Sequence, residues 1–193
     1  MPSGEIRQRL LRDRGLNSVF QIPMEEPLIR VDRGIWGLID RDIPYDKSEQ
    51  EDLVGSMLLL LTRRQKGIHS SVLLPELSKY TSNLLPNVQP ALLMSLAQYS
   101  GSMKVDMAGY LYISEWGSSR WPSNTEVVSE IVTKSPGMGW TSADILQLAE
   151  EQLERPLEPA YVLKAIDSIG GVYNLDAKKW FFPADLAGQG EDD

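Results

Sequence analysis

The chain has 193 residues, with 19 Lys and Arg against 27 Asp and Glu, so its formal net charge is −8. Hydrophobic residues make up 42% of the chain, a fraction that is ordinary for folded proteins and excludes wholesale disorder. The lack of cysteine excludes disulfides, thiolate metal sites and cysteine nucleophiles, and a single histidine excludes a multi-histidine metal site.

The negative charge is unevenly distributed along the chain. Residues 1–45 carry seven basic and seven acidic groups, and residues 46–122 again carry seven of each. Residues 123–193 carry five basic and thirteen acidic groups, so the whole excess of acid belongs to the last third. A net charge of −8 argues against nucleic acid for the chain as an average, but the first two thirds are neutral.

The first predicted element is a basic helix over Glu5–Gly15. Ile6 and Leu10 lie one turn apart and give it an apolar stripe for a core. Arginine pairs bidentately with phosphate or with guanine, so the arginines of this helix are candidates for DNA contact. They are Arg7, Arg9, Arg12 and Arg14. The alternative is a solvated helix in which Glu5 and Arg9 form an ordinary i,i+4 pair.

A hairpin over Val31–Ile39 is the next predicted element. Arg30 and Arg33 lie at its start and would add phosphate contacts. Asp40 and Asp42 follow it, and two carboxylates at this spacing predict either a turn, which we prefer, or a Mg²⁺ site.

The rest of the chain contains an internal repeat. Pro90–Ile113 aligns with Pro159–Phe182 at an offset of 69 residues without a gap. Each copy predicts the order helix, short extended piece, helix, helix and hairpin. The predicted first helices are Glu51–Arg64 and Thr125–Lys134. The predicted second helices are Val72–Tyr80 and Ala143–Arg155, with Ser71 and Ser142 as their N-caps. The predicted third helices begin at Pro90 and Pro159 and end at Gly101 and Gly170. The predicted hairpins are Lys104–Ile113 and Val172–Phe182.

This order of elements resembles that of the winged-helix family over about residues 46–184. The resemblance implies an α+β fold, mainly α, of tandem winged-helix domains with small antiparallel β-hairpin wings. The expected divisions are a partial winged-helix unit or N-terminal arm at 1–45, winged-helix units at 46–122 and 123–185, and a disordered acidic tail at 186–193.

The N-terminal segment resembles the end of a HARE-type winged helix. The resemblance is carried by the basic helix, by Phe20-Gln21 and by the Gly-containing aromatic hairpin Arg30–Leu38. Members of that family are linked to DNA-associated proteins, including restriction and chromatin factors. The first two helices of such a domain are missing here, so we expect either a fragment of a longer protein or an arm that completes its fold on a neighbour.

The third helices of the two repeats carry few cations. The polar residues of the first are Asn87, Gln89, Ser95 and Gln98, and the second offers Glu158, Lys164 and Asp167. Affinity for duplex DNA depends largely on neutralised phosphates, so these helices favour protein contact or a spacer role. Lys178 and Lys179 in the second wing are further phosphate candidates, whereas His69 is expected to be a packed or surface residue.

Two functions remain open. The first is a non-catalytic, intracellular DNA-binding protein, of the kind used in transcription regulation, whose N-terminal helix and wing contact duplex DNA. The second is a protein-interaction or dimerisation module of a DNA-associated complex, similar to the accessory proteins of SMC complexes. We expect no enzyme, cofactor, metal, membrane or small-molecule substrate, because no P-loop, GxSxG, HExxH or GxGxxG pattern occurs and the longest apolar run is five residues, Met57–Leu61.

Overall fold

The computed structural model describes residues 2–14, 28–32, 34–135 and 137–183. Its internal contacts divide the chain into an N-terminal unit, Met1–Arg120, and a C-terminal unit, Trp121–Asp193. The fold is α+β and mainly α, with small antiparallel sheets, which confirms the predicted class. None of the helices in the described ranges is long and apolar enough to cross a membrane. The predicted tail 186–193 lies outside these ranges.

The N-terminal unit begins with a helix and a hairpin and continues as the first repeat. Its helices are α1 (Ser3–Arg14), α2 (Ile39–Asp42), α3 (Lys47–Arg64), α4 (Ser70–Leu77) and α5 (Pro90–Tyr99). Its strands are β1 (Leu28–Asp32), β2 (Ile35–Leu38), β3 (Ile68–His69), β4 (Met103–Val105) and β5 (Tyr110–Ile113). β1 and β2 pair with each other, and the other three strands form an antiparallel sheet in the order β3-β5-β4.

The C-terminal unit repeats the part of this arrangement from α3 to β5. Its elements are α6 (Asn124–Thr133), α7 (Ser142–Leu153), α8 (Pro159–Ser168), β6 (Val172–Asn174) and β7 (Lys179–Phe181). An isolated antiparallel bridge joins Trp140 to Trp180 of β7, and β7 pairs with β6. The order Trp140-β7-β6 thus corresponds to β3-β5-β4, and the predicted succession of helices and hairpin is present in both units.

In both units the helix that follows the short strand is capped earlier than predicted. The difference is two positions in the N-terminal unit and one position in the C-terminal unit. In the N-terminal unit the His69 Nδ1 atom accepts the Ser71 backbone N–H at 3.2 Å. In the C-terminal unit the Thr141 hydroxyl accepts the Asp144 N–H at 3.1 Å, within a capping box. The predicted caps Ser71 and Ser142 lie inside their helices, and each cap satisfies one orphan N–H of the first turn.

The N-terminal hairpin belongs to the same core as the first repeat. Ile29 of β1 is 1% exposed and lies in one buried cluster with Leu53, Leu93 and Leu111. Tyr45 is buried in the same cluster, and its hydroxyl accepts the Leu85 backbone N–H at 3.1 Å. Ile29 and Tyr45 therefore pack into the core of the unit that the sequence predicts at 46–122.

Replacing Ile29 by Ala tests whether the hairpin is a structural part of this unit. A large-to-small change at a fully buried site removes transfer free energy and leaves a cavity, so unfolding free energy should fall by about 2–5 kcal/mol. The matched control is Ile35→Ala on the partner strand, because Ile35 is exposed and its loss should cost about 0.5 kcal/mol. Amide hydrogen exchange of α5 during a urea series reports the N-terminal unit separately. Equal, small effects of both changes would contradict a shared core.

Candidate nucleic-acid interface

The predicted basic helix is present as α1, and it starts beside the hairpin. A bridge pairs Pro2 with Ile35 of β2, and the Pro2 carbonyl accepts the N–H groups of Glu5 and Ile6 at 3.0 and 3.2 Å. The first turn of α1 is thereby held against the hairpin strand. Arg9 and Arg12 are exposed on this helix.

Three further predicted arginines are only partly covered by the structure. The backbone of Arg7 and of Arg14 lies in α1, but their side chains fall outside what the structure describes. Arg33, between β1 and β2, lies outside the described residues altogether.

Arg30 is exposed on β1, where it faces the start of α5. Its Nε atom donates to the Asp32 carbonyl oxygen at 3.4 Å, beside an irregularity of the β1–β2 register between these two residues. The side chain borders an open cavity of about 440 Å³ whose apolar wall includes Met94 and Val105. Because the side chain is exposed, its guanidinium is accessible to an anionic ligand.

The third helix of the N-terminal unit, α5, has no solvent face over most of its length. Its six residues Leu92–Ala97 are all buried, and six residues exceed a full turn. β1 packs on one side of α5, and α3, α4 and β4 pack on others. Ser95, one of its predicted polar residues, is 2% exposed and donates to the Ala91 carbonyl at 2.8 Å. Because it is covered and uncharged, α5 cannot enter a DNA groove in this arrangement.

The third helix of the C-terminal unit, α8, is exposed along one side. It presents Tyr161 and Leu163 to solvent, together with Lys164 and Asp167. One cation beside one anion gives little net attraction for phosphate.

The predicted lysines of the second wing differ in their surroundings. Lys178 is exposed in the turn before β7, with a left-handed φ of 53°. Lys179 is partly buried, since its side chain lies along Gly139, where an added Cβ would come within 2.8 Å of the Lys179 Cδ atom. Of the two, Lys178 is the more accessible to a phosphate.

Of the two carboxylates that follow the first hairpin, Asp42 stabilises the connection between β2 and α2. Asp42 accepts the Leu38 backbone N–H at 2.8 Å and two Arg41 guanidinium N–H groups at 2.8 Å each. The hydrogen bond from Arg41, then that from Leu38, lowers the pKa of Asp42 to about 2. Asp42 therefore links the end of α2 to the end of β2, and the structure has this short helix where the sequence predicts a turn. The described part of the chain contains no group of three or more His, Cys, Asp or Glu side chains suited to a metal ion.

Comparison with known protein families, curated proteins and solved structures finds no match for this chain.

The pKa of Asp42 provides a test of its hydrogen bonds to Arg41 and Leu38. Arg41→Ala removes the strongest stabilising contact of the carboxylate, so the pKa of Asp42 should rise from about 2 towards its usual value of 3.8. Carbon-detected NMR titration of the carboxyl group measures the change. In the wild type the lowered pKa favours folding above pH 3.8, and this contribution should disappear as the pH falls towards 2. An Asp42 pKa that is unaltered in the variant would contradict the contact.

Proposed function

We propose that the chain is a non-catalytic DNA-binding protein that contacts duplex phosphates through its N-terminal helix and hairpin. The observation that carries this proposal is the exposure of Arg9, Arg12 and Arg30 on two elements that the Pro2–Ile35 bridge joins. The sequence adds Arg7, Arg14 and Arg33 to the same segment. Guanidinium groups bind phosphate oxygens through charge-assisted hydrogen bonds, which are stronger than neutral ones.

Because α5 is covered, the proposed DNA binding would depend on phosphate contacts rather than on a helix in a groove. Base sequence is read by side chains that enter a groove, whereas phosphate contacts position a protein without reading sequence. With α5 covered by β1, the N-terminal unit offers phosphate contacts and a scaffold that carries them. We therefore expect similar affinity for duplexes of different sequence and a strong dependence on salt.

Charge removal on α1 tests the proposal. Fluorescence anisotropy of a labelled duplex, measured over a salt series, gives the affinity and its salt dependence. In the double variant Arg9→Ala, Arg12→Ala the slope of log affinity against log salt should become shallower by about 2, since each lost phosphate contact removes roughly 1. The loss should be the same for unrelated duplex sequences.

The matched control removes two positive charges elsewhere. Lys79 and Lys134 are exposed and pair with Glu76 and Glu130. The double variant Lys79→Ala, Lys134→Ala has the same net charge as the arginine variant but should keep the wild-type salt slope. Equal weakening by both pairs would mean that overall charge alone acts. A wild-type chain that forms no duplex complex at low salt would end the proposal.

A second candidate function is a docking module of a DNA-associated complex, and the C-terminal unit favours it. Among the described residues, eight of the thirteen large hydrophobic side chains that are exposed belong to this unit. Two of them, Tyr161 and Leu163, lie on α8, and aromatic residues are enriched at protein interfaces. If the wild-type chain forms no complex with duplex DNA at low salt, the docking function remains as the candidate.

A further inference from the structure

The hairpin β6–β7 of the C-terminal unit has an apolar outer surface. All three residues of β6 are exposed. Val172 is 66% exposed and pairs across the strands with Phe181, which is also exposed, so the two side chains share one face. Leu175, directly after β6, is 81% exposed. Val172 and Phe181 thus form an exposed apolar pair on one face of the hairpin, and Leu175 adds a further exposed apolar side chain in its turn.

The hydrogen bonds of β7 show which backbone groups of β6 face outward. Trp180 donates its N–H to the Trp140 carbonyl at 2.8 Å and accepts the Trp140 N–H at 3.0 Å. In an antiparallel sheet the N–H and C=O of one residue point to the same side, and the side alternates along the strand. Tyr173 lies opposite Trp180 in the β6–β7 register. The N–H and C=O of Tyr173 therefore point away from β7, towards the edge of β6 on which no other described strand lies.

The corresponding edge in the N-terminal unit is protected by charge. There β4 carries an exposed lysine, Lys104, and is followed directly by Asp106. Charged residues on edge strands discourage pairing with another chain. The stretch Gly170–Leu175, which includes all of β6, contains no charged residue and no proline. The two hairpins thus share a topology but differ in the feature that keeps an edge unpaired.

We propose that β6 pairs antiparallel with β6 of a second copy of this chain, about a two-fold axis at Tyr173. In this arrangement the outward N–H of each Tyr173 donates to the outward C=O of its counterpart, so both groups of each copy are satisfied by one symmetric contact. The Tyr173 rings, each at 5.0 Å from the Trp180 ring of its own copy, lie next to each other across the axis.

The charge pattern selects a second copy as the partner. Near a two-fold axis each residue meets the same stretch of its own sequence, so any charge there meets a like charge. An uncharged segment avoids this repulsion, whereas the same pairing at β4 would bring Lys104 near its counterpart. Because the contact uses the C-terminal unit and the DNA contacts proposed above use the N-terminal unit, this inference does not depend on DNA binding.

Sedimentation equilibrium of the full chain, without DNA, over a wide range of protein concentration tests the inference. The wild type should show a concentration-dependent monomer–dimer equilibrium. Val172→Lys places at this edge the kind of charge that β4 has, and should raise the dimer dissociation constant about tenfold or more. Val172 is largely exposed, so this change leaves the core intact. The matched control is Met107→Lys, a fully exposed position on the other hairpin, which should leave the equilibrium unchanged.

A mixing experiment separates loss of the interface from loss of folding. The Val172 side chains lie diagonally across the proposed axis, so an equimolar mixture of Val172→Lys and Val172→Glu should restore dimers that neither variant forms alone. A wild-type chain that stays monomeric at every concentration overturns the inference. So does a dimer that survives Val172→Lys, a dimer that Met107→Lys weakens equally, or a mixture that does not recover.

Discussion

The packing of β1 on α5 is the contact on which the N-terminal unit depends. The segment Leu92–Ala97 of α5 is apolar on every side apart from Ser95, and a helix of that kind is stable only when it is covered on every side. The helices α3 and α4 cover part of it, and β1 covers another part, with Ile29 fully buried in the shared core. The hairpin is therefore required by the composition of α5.

The third helix of the repeat is covered in the N-terminal unit, as α5, and partly exposed in the C-terminal unit, as α8. This difference gives the two units different surfaces. α8 buries Val162, Ala165 and Ile166 but leaves Tyr161 and Leu163 exposed, and no hairpin equivalent to β1–β2 occurs among the described residues of its unit. In the N-terminal unit the third helix is covered, and the strand that covers it carries Arg30. The C-terminal unit keeps an open third helix, with an apolar rather than a basic surface.

Much of the fold could be predicted from the sequence because its signals are local. Pro90 and Pro159 mark the starts of the third helices, Gly101 and Gly170 mark their ends with left-handed φ values of 74° and 78°, and the matching order follows from the repeat. The attachment of the N-terminal hairpin to the first repeat depends on packing between distant parts of the chain, which local patterns do not show. The all-round hydrophobicity of Leu92–Ala97 was the signal that a covering element was needed.

In the candidate interface, too, the features that depend on local sequence could be predicted and those that depend on distant contacts could not. Exposure of Arg9, Arg12 and Arg30 agrees with their polar sequence context, whereas the cover over α5 and the outward direction of the Tyr173 backbone groups depend on strand pairing. Strand pairing also shows where the difference between the two hairpins matters. Lys104 and Val172 both lie on edge strands, and on an edge strand a charged residue discourages pairing with another chain whereas an apolar one does not. The two copies of one repeat therefore differ in surface where their edge and cover residues differ, with Lys104 exposed on β4 and Val172 exposed on β6.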